Sequence, residues 1–258
     1  MMGWFSERPD KAWGERWFLA TSPIWMASVV FLVLSGAMRR WTEWGYLAYG
    51  LFAAAPAVVG PLLTKRGRSF DAGVPYWVKL NLFAAVLVFF GTYFGTHYFF
   101  DLMGMRYAFP SKWTFEAIHV GKTGGVVPAF LYPLTQAYFV TYFTVLVVAY
   151  RKIVTTLRLG ALGRAAVVLV LAYAIAFAET FFMATDLMAD LFSYEKRDKM
   201  LTVGSLGYAT YFVFGLPLAR RIDEDAPTPL GRVLEMALAA SMATLILLEG
   251  WSRLVGRL

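Results

Sequence analysis

The stretch RAAVVLVLAYAIAFAETFFMATDLMADL, residues 164–191, decides the fold class. It is too long and too apolar for an ordinary helix of a soluble domain, because a bilayer span takes ~20 mostly apolar residues. It also carries acids. An ionisable side chain at membrane depth costs roughly 2.5–3.5 kcal/mol on insertion scales, so a carboxyl there is a candidate functional group. Glu179 is the deepest of them. If the helix runs to Leu191, Asp186 and Asp190 follow Glu179 by seven and eleven residues. They then fall about 20° to either side of its direction, so all three acids share one face.

Similar apolar runs recur along the chain. They predict an all-α, polytopic membrane bundle of six to seven spans, forming one domain over residues 1–258. The candidates are Trp17–Met38, Trp44–Leu63, Trp77–Phe100, Val126–Tyr150, Arg164–Leu191, Leu201–Leu218 and Leu230–Leu254. The second contains Pro56, Gly60 and Pro61, which kink a helix or make it re-entrant. Residues 101–125 form a mixed loop, with FPSKW and GKTGG as breakers. Trp17, Trp44, Trp77, Tyr150 and Trp251 stand at helix ends as interfacial anchors.

Composition agrees. The 258 residues are 59% hydrophobic and 16% charged, with a formal net charge of +7. Basic residues are scattered over short loops, which argues against nucleic-acid binding and suits contact with anionic lipid. Fourteen Lys and Arg fall on the N-terminal side of a seven-span layout and ten on the other. That asymmetry places the N-terminus in the cytoplasm. The opening MMGWFSERPDKAWGERW has no basic segment leading into a short apolar core, so it predicts no cleaved signal peptide.

Several chemistries are excluded. There is no cysteine, hence no thiolate or disulfide, and two histidines cannot build a multi-histidine metal cluster. No lysine lies deep in a span, which removes a retinal Schiff base. There is no phosphate loop, GxSxG elbow or HExxH motif. The expectation is therefore no metal and no cofactor.

What remains is a set of carboxyls, a histidine and many aromatic rings. His97 and Asp101 stand at i and i+4 near the end of the third span, and such a carboxylate orients an imidazole. Tyr93 lies one turn before His97, and Asn81 is polar within the same span. Glu249 sits in an apolar run near the end of the last span. The second histidine, His119, falls in a loop and reads as solvated. Desolvation disfavours carboxylate anions in general, so acids of this kind can give and take protons, while aromatic faces stabilise cations. The residues alone leave two classes open: proton-transfer chemistry on an apolar substrate, and proton-coupled transport or lipid binding. No internal repeat of the kind many transporters carry is evident.

Four blocks then resemble one family in order along the chain. They are KAWGERWFLATSPIW (Trp13, Gly14, Glu15, Phe18, Pro23, Trp25), the segment from YWVK-N to FPS (Tyr76 to Ser111), AFAET (Ala176, Glu179, Thr180) and MLTVGSLGYATYFVFGLPLARRIDED (Met200 to Asp225). Glu249, two residues before Trp251, extends the resemblance into the last helix. The chain resembles the cycloeucalenol cycloisomerase family of cyclopropyl-sterol isomerases. Phe181–Lys199, Asp101, Gln136 and Phe143 depart from the family's pattern. The resemblance implies cofactor-free opening of a 9β,19-cyclopropane to an 8-ene by protonation and deprotonation, with a sterol and membrane lipid as partners. On this reading Glu179 is the candidate acid, with His97 or Glu249 as base or relay. Tyr93, Asn81, Asp101, Asp186, Tyr208 and Tyr211 are the candidate substrate-binding residues. A sterol double-bond isomerase using the same proton chemistry is the near alternative.

Overall fold

The computed structural model describes residues 3–70 and 73–258. Nine helices and two short strands follow one another there: α1 (Pro9–Ser35), α2 (Glu43–Val58), α3 (Tyr76–Phe90), α4 (Thr96–Met103), β1 (Met105–Tyr107), α5 (Leu131–Leu157), α6 (Ala161–Met183), β2 (Phe192–Tyr194), α7 (Arg197–Lys199), α8 (Ser205–Arg221) and α9 (Leu230–Leu254). Single π turns, Gly91–Gly95 and Met200–Gly204, join α3 to α4 and α7 to α8 into continuous rods. Six helices are then long and apolar enough to cross a membrane, making this an all-α multi-pass bundle.

Hydrogen bonds and ion pairs at the helix termini order the passes. The start of α1, the start of α3, and the ends of α5 and α8 meet at one end, where Lys11 donates to the carbonyls of Arg220 and Ile222 and Asp10 accepts from the Tyr76 amide. The end of α1, the two strands and the C-terminus meet at the other, where Leu258 N–H donates to Leu102. The second apolar segment folds as the 16-residue α2 followed by a 3-10 turn at Gly60–Leu63. It is too short to meet the length of a full span. Yet it returns the chain between the two ends. The Tyr46 hydroxyl donates to Met38 at one, while the Trp17 indole donates to the Pro56 carbonyl and the Asn81 amide to Ala57 toward the other. Pro56 and the Gly60–Pro61 pair account for its early termination.

Rings fill the middle of the bundle. Phe83, Phe139, Phe143 and Phe212 interlock with centroids 5.3–5.9 Å apart, edge to face except for the tilted Phe139–Phe212 pair. At the end away from Lys11, β1 and β2 pair antiparallel, with Met105 opposite Tyr194 and Tyr107 opposite Phe192. This two-stranded strap lies across the bundle.

Two sequence expectations are corrected here. The rod containing Glu179 stops at Met183 rather than Leu191. The backbone is extended at Thr185, whose hydroxyl accepts from the Leu187 amide to begin a separate 3-10 turn over Asp186–Met188. Local side-chain bonding of this kind competes with helix continuation. The shared face of Glu179, Asp186 and Asp190 therefore does not exist. In the presumed loop after residue 100, α4 persists to Met103 and β1 follows at once.

Candidate active site

Beneath the strap lies a cavity walled by the ends of α1, α3 and α6, the starts of α4, α5 and α8, and both strands. Its volume is about 140 Å³. The wall is mostly apolar and aromatic, with a few polar groups, the usual build of a site for an apolar small molecule.

Glu179 enters this wall from the last turn and a half of α6. The Tyr208 hydroxyl, on α8, donates to its Oε2 at 2.6 Å. Tyr142 on α5 also interacts with the carboxyl. Tyr138 and Tyr211 line the wall from α5 and α8, and Tyr107 and Tyr194 from the strands. The two strand phenols are held above their ordinary range, by burial first and by neighbours including Glu179 second, so both remain protonated donors at neutral pH. Ring faces and phenol hydroxyls thus surround one carboxyl. Such a wall can deliver a proton and stabilise the cation that results.

Among the sequence candidates the fold brings Glu179, Tyr208 and Tyr211 to the cavity. The other six lie outside its wall. His97 is buried, 4% exposed, between Phe100 and the loop at Gly121, and neither ring nitrogen has a protein partner among the described residues. Asp101 does not orient it. Its two oxygens instead accept from the amides of Lys122 and Thr123, pinning that loop. Tyr93 stacks on Phe89, with ring centroids 5.2 Å apart, outside the cavity. Asn81 donates to Ala57 and Trp77 and accepts from Gln136, bridging three helices. Asp186 is exposed, 3.5 Å from Arg197. Glu249 is exposed as well, within 3.3 Å of the Tyr98 hydroxyl and 3.4 Å of Arg253. His119 is exposed in its loop.

Four wall or near-wall tyrosines, Tyr107, Tyr138, Tyr142 and Tyr194, carry no sequence signal that separates them from interfacial anchors. A second polar cluster was also unforeseen. At the Lys11 end, Lys11 and Glu15 are fully buried. Lys11 meets Glu224 at 2.6 Å, and Arg151 forks to Glu15 at 2.7 Å and Glu224 at 2.8 Å. Lys79 meets Asp223 at 2.8 Å beside them. Burial pushes the Glu224 carboxyl up, but its bonds to Arg151 and Lys11 outweigh that and hold it at about 2. Three cations meet three anions, so the cluster is a neutral clamp.

The curated cycloeucalenol cycloisomerase of Arabidopsis thaliana is 34% identical over 263 residues, covering 98% of this chain and 89% of that protein. No family model matches the chain, and no solved structure does.

Proposed function

This chain belongs to the cycloeucalenol cycloisomerase family of enzymes, and from that premise we propose that it opens the 9β,19-cyclopropane of a 4α-methyl cyclopropyl sterol to give the 8-ene. The acid is Glu179. It protonates the cyclopropane methylene, which becomes the angular methyl, and the ring bond that breaks leaves a tertiary cation at carbon 9. Loss of the carbon 8 proton then completes the alkene.

The observation that supports this reading is the position of Glu179: a carboxyl in the wall of an aromatic cavity, fixed at 2.6 Å by the Tyr208 hydroxyl. Tyr208 and Phe99 pack edge to face, with centroids 5.6 Å apart, and Tyr211 lies 5.7 Å from Tyr208. Their faces are suited to a cation because ring quadrupoles attract positive charge, by about 2 kcal/mol or more where water is excluded.

The test is turnover in deuterated water by membranes that contain the protein. A proton from an exchangeable acid must end on the new methyl carbon. One deuterium there, with no added redox cofactor, is the expected result. An intact cyclopropane with a labelled ring carbon would instead mark a double-bond isomerase, and an unchanged sterol would mark a transporter or binding protein.

A further inference from the structure

The reaction above needs a proton given at one carbon and a proton taken from another. Among the described residues, the cavity wall offers one carboxyl, that of Glu179, and no aspartate, histidine, lysine or arginine. The sequence candidates for a separate base are elsewhere: His97 is sealed behind Phe100 and Gly121, and Glu249 is exposed beside Tyr98 and Arg253.

We propose that Glu179 performs both transfers, acting first as the acid and then, as the carboxylate it has become, as the base. This rests on the isomerase reading of the site. The step balances within substrate and side chain. The Glu179 O–H bond breaks, and its proton bonds to the methylene carbon using the electron pair of the cleaved bond to carbon 9. The C8–H pair then forms the C8–C9 double bond, and that proton returns to Glu179. The side chain is neutral at the start and at the end, so each turnover leaves it ready for the next.

Substrate geometry favours one group over two. The methylene and carbon 8 are both bonded to carbon 9, and the methylene and the carbon 8 hydrogen of a 9β,19-cyclosterol lie on the same β face. One carboxyl placed against that face reaches both. After the first transfer the carboxylate and the carbon 9 cation form an ion pair in a site poor in water, where their attraction is far stronger than in solution. The base nearest the acidified C8–H is then the carboxylate that has just been made.

The groups that face Glu179 are phenols: Tyr138 and Tyr142 from α5, Tyr208 and Tyr211 from α8, and Tyr107 and Tyr194 from the strands. Tyr107 and Tyr194 are held in their protonated form by burial. In this mechanism the phenols donate to the carboxylate and turn ring faces to the cation, and none takes the proton. Tyr208 is a positioning residue, since its hydroxyl fixes Oε2.

Two measurements decide it. The substrate has no ionisable group near neutrality, so the pH dependence of kcat/KM belongs to the enzyme. One group acting in both roles gives a plateau on the acid side and a single alkaline fall, whereas a separate acid and base give a bell. An acid limb that reverses when the sample returns to the plateau pH would overturn the proposal. The second measurement uses Glu179→Gln, Tyr208→Phe, Tyr142→Phe, His97→Leu and Glu249→Gln, each checked for a cooperative melt in detergent. Glu179→Gln loses ~10²–10⁴-fold, the range of general acid–base groups, and the others retain turnover within about tenfold. A folded variant elsewhere that falls to the Glu179→Gln level would identify a separate base and overturn the proposal. The deuterium experiment keeps the two readings apart. Methyl labelling with a bell-shaped profile rejects only the single carboxyl, while absence of any 8-ene product rejects the isomerase reading itself.

Discussion

Glu179→Gln keeps the shape and the acceptor for Tyr208 but removes the transferable proton, so the variant should fold and be inert. Turnover within about twofold of the parent, well short of the ~10²–10⁴-fold expected of such a group, would exclude Glu179 as the acid. Tyr208→Phe removes one hydroxyl that orients Oε2. It should lower kcat by roughly tenfold and change KM little, because a charge-assisted bond that strengthens as the carboxylate forms acts on the transition state. A rise in KM alone would instead make Tyr208 a binding group. Legibility at this scale follows from cost. A carboxyl deep in an apolar run stands out because burying it is expensive. Tyrosine has no such cost, so Tyr107, Tyr138 and Tyr194 are indistinguishable from anchors until the fold is known. His97 and Asp101 look like a pair because helical spacing puts them on one face, yet Asp101 is taken up by the Lys122 and Thr123 amides.

The elements show why some lining residues reach the cavity at all. The rod from α3 to α4 passes through a π turn at Gly91–Gly95, a local widening often found at functional sites. Tyr211 lies directly against it. A Cβ on Gly91 would be 2.8 Å from the Tyr211 ring, and one on Gly95 would be 1.9 Å from its hydroxyl. Gly95→Ala must therefore push Tyr211 out of the cavity wall. Forced overpacking of this kind costs about 1–3 kcal/mol. The expected result is a lowered melting temperature together with a loss of turnover larger than the stability change explains. Full activity with an unaltered melt would show that the ring contact has no role. The rods themselves were legible from hydropathy, because apolar length is a direct requirement of the bilayer. Their ends were not. After α6 the Thr185 hydroxyl accepts from the Leu187 amide and starts a separate turn, a local bond that hydropathy does not register. The strap of Met105–Tyr107 and Phe192–Tyr194 joins segments far apart in sequence, and three-residue strands have too little period to be read.

Taken whole, the molecule divides its labour between its two ends. The cavity is built from the ends of α1, α3 and α6 and the start of α4 under the strap, while the ionic clamp ties the starts of α1 and α3 to the ends of α5 and α8. The polar residues of this clamp resemble the family's pattern at Glu15, Asp223 and Glu224, yet their pairing across four segments of the fold is invisible in one dimension. Removing one partner from a buried cluster strands the others and costs about 3–5 kcal/mol. Glu224→Gln should therefore destabilise the bundle strongly while leaving turnover per folded molecule unchanged, since the clamp lies away from Glu179. Its pH signature is set by sign. The folded Glu224 carboxyl is held at about 2, below its ordinary 4.5, so as the pH falls the unfolded chain takes up this proton first. The stability that Glu224 contributes is complete above its ordinary value, declines as the pH drops from there towards about 2, and is gone below it. Melting temperatures measured in detergent across that window should fall more steeply for the parent than for Glu224→Gln. Parallel curves would mean that the clamp carboxylate contributes no linked stability and that another group governs unfolding in acid.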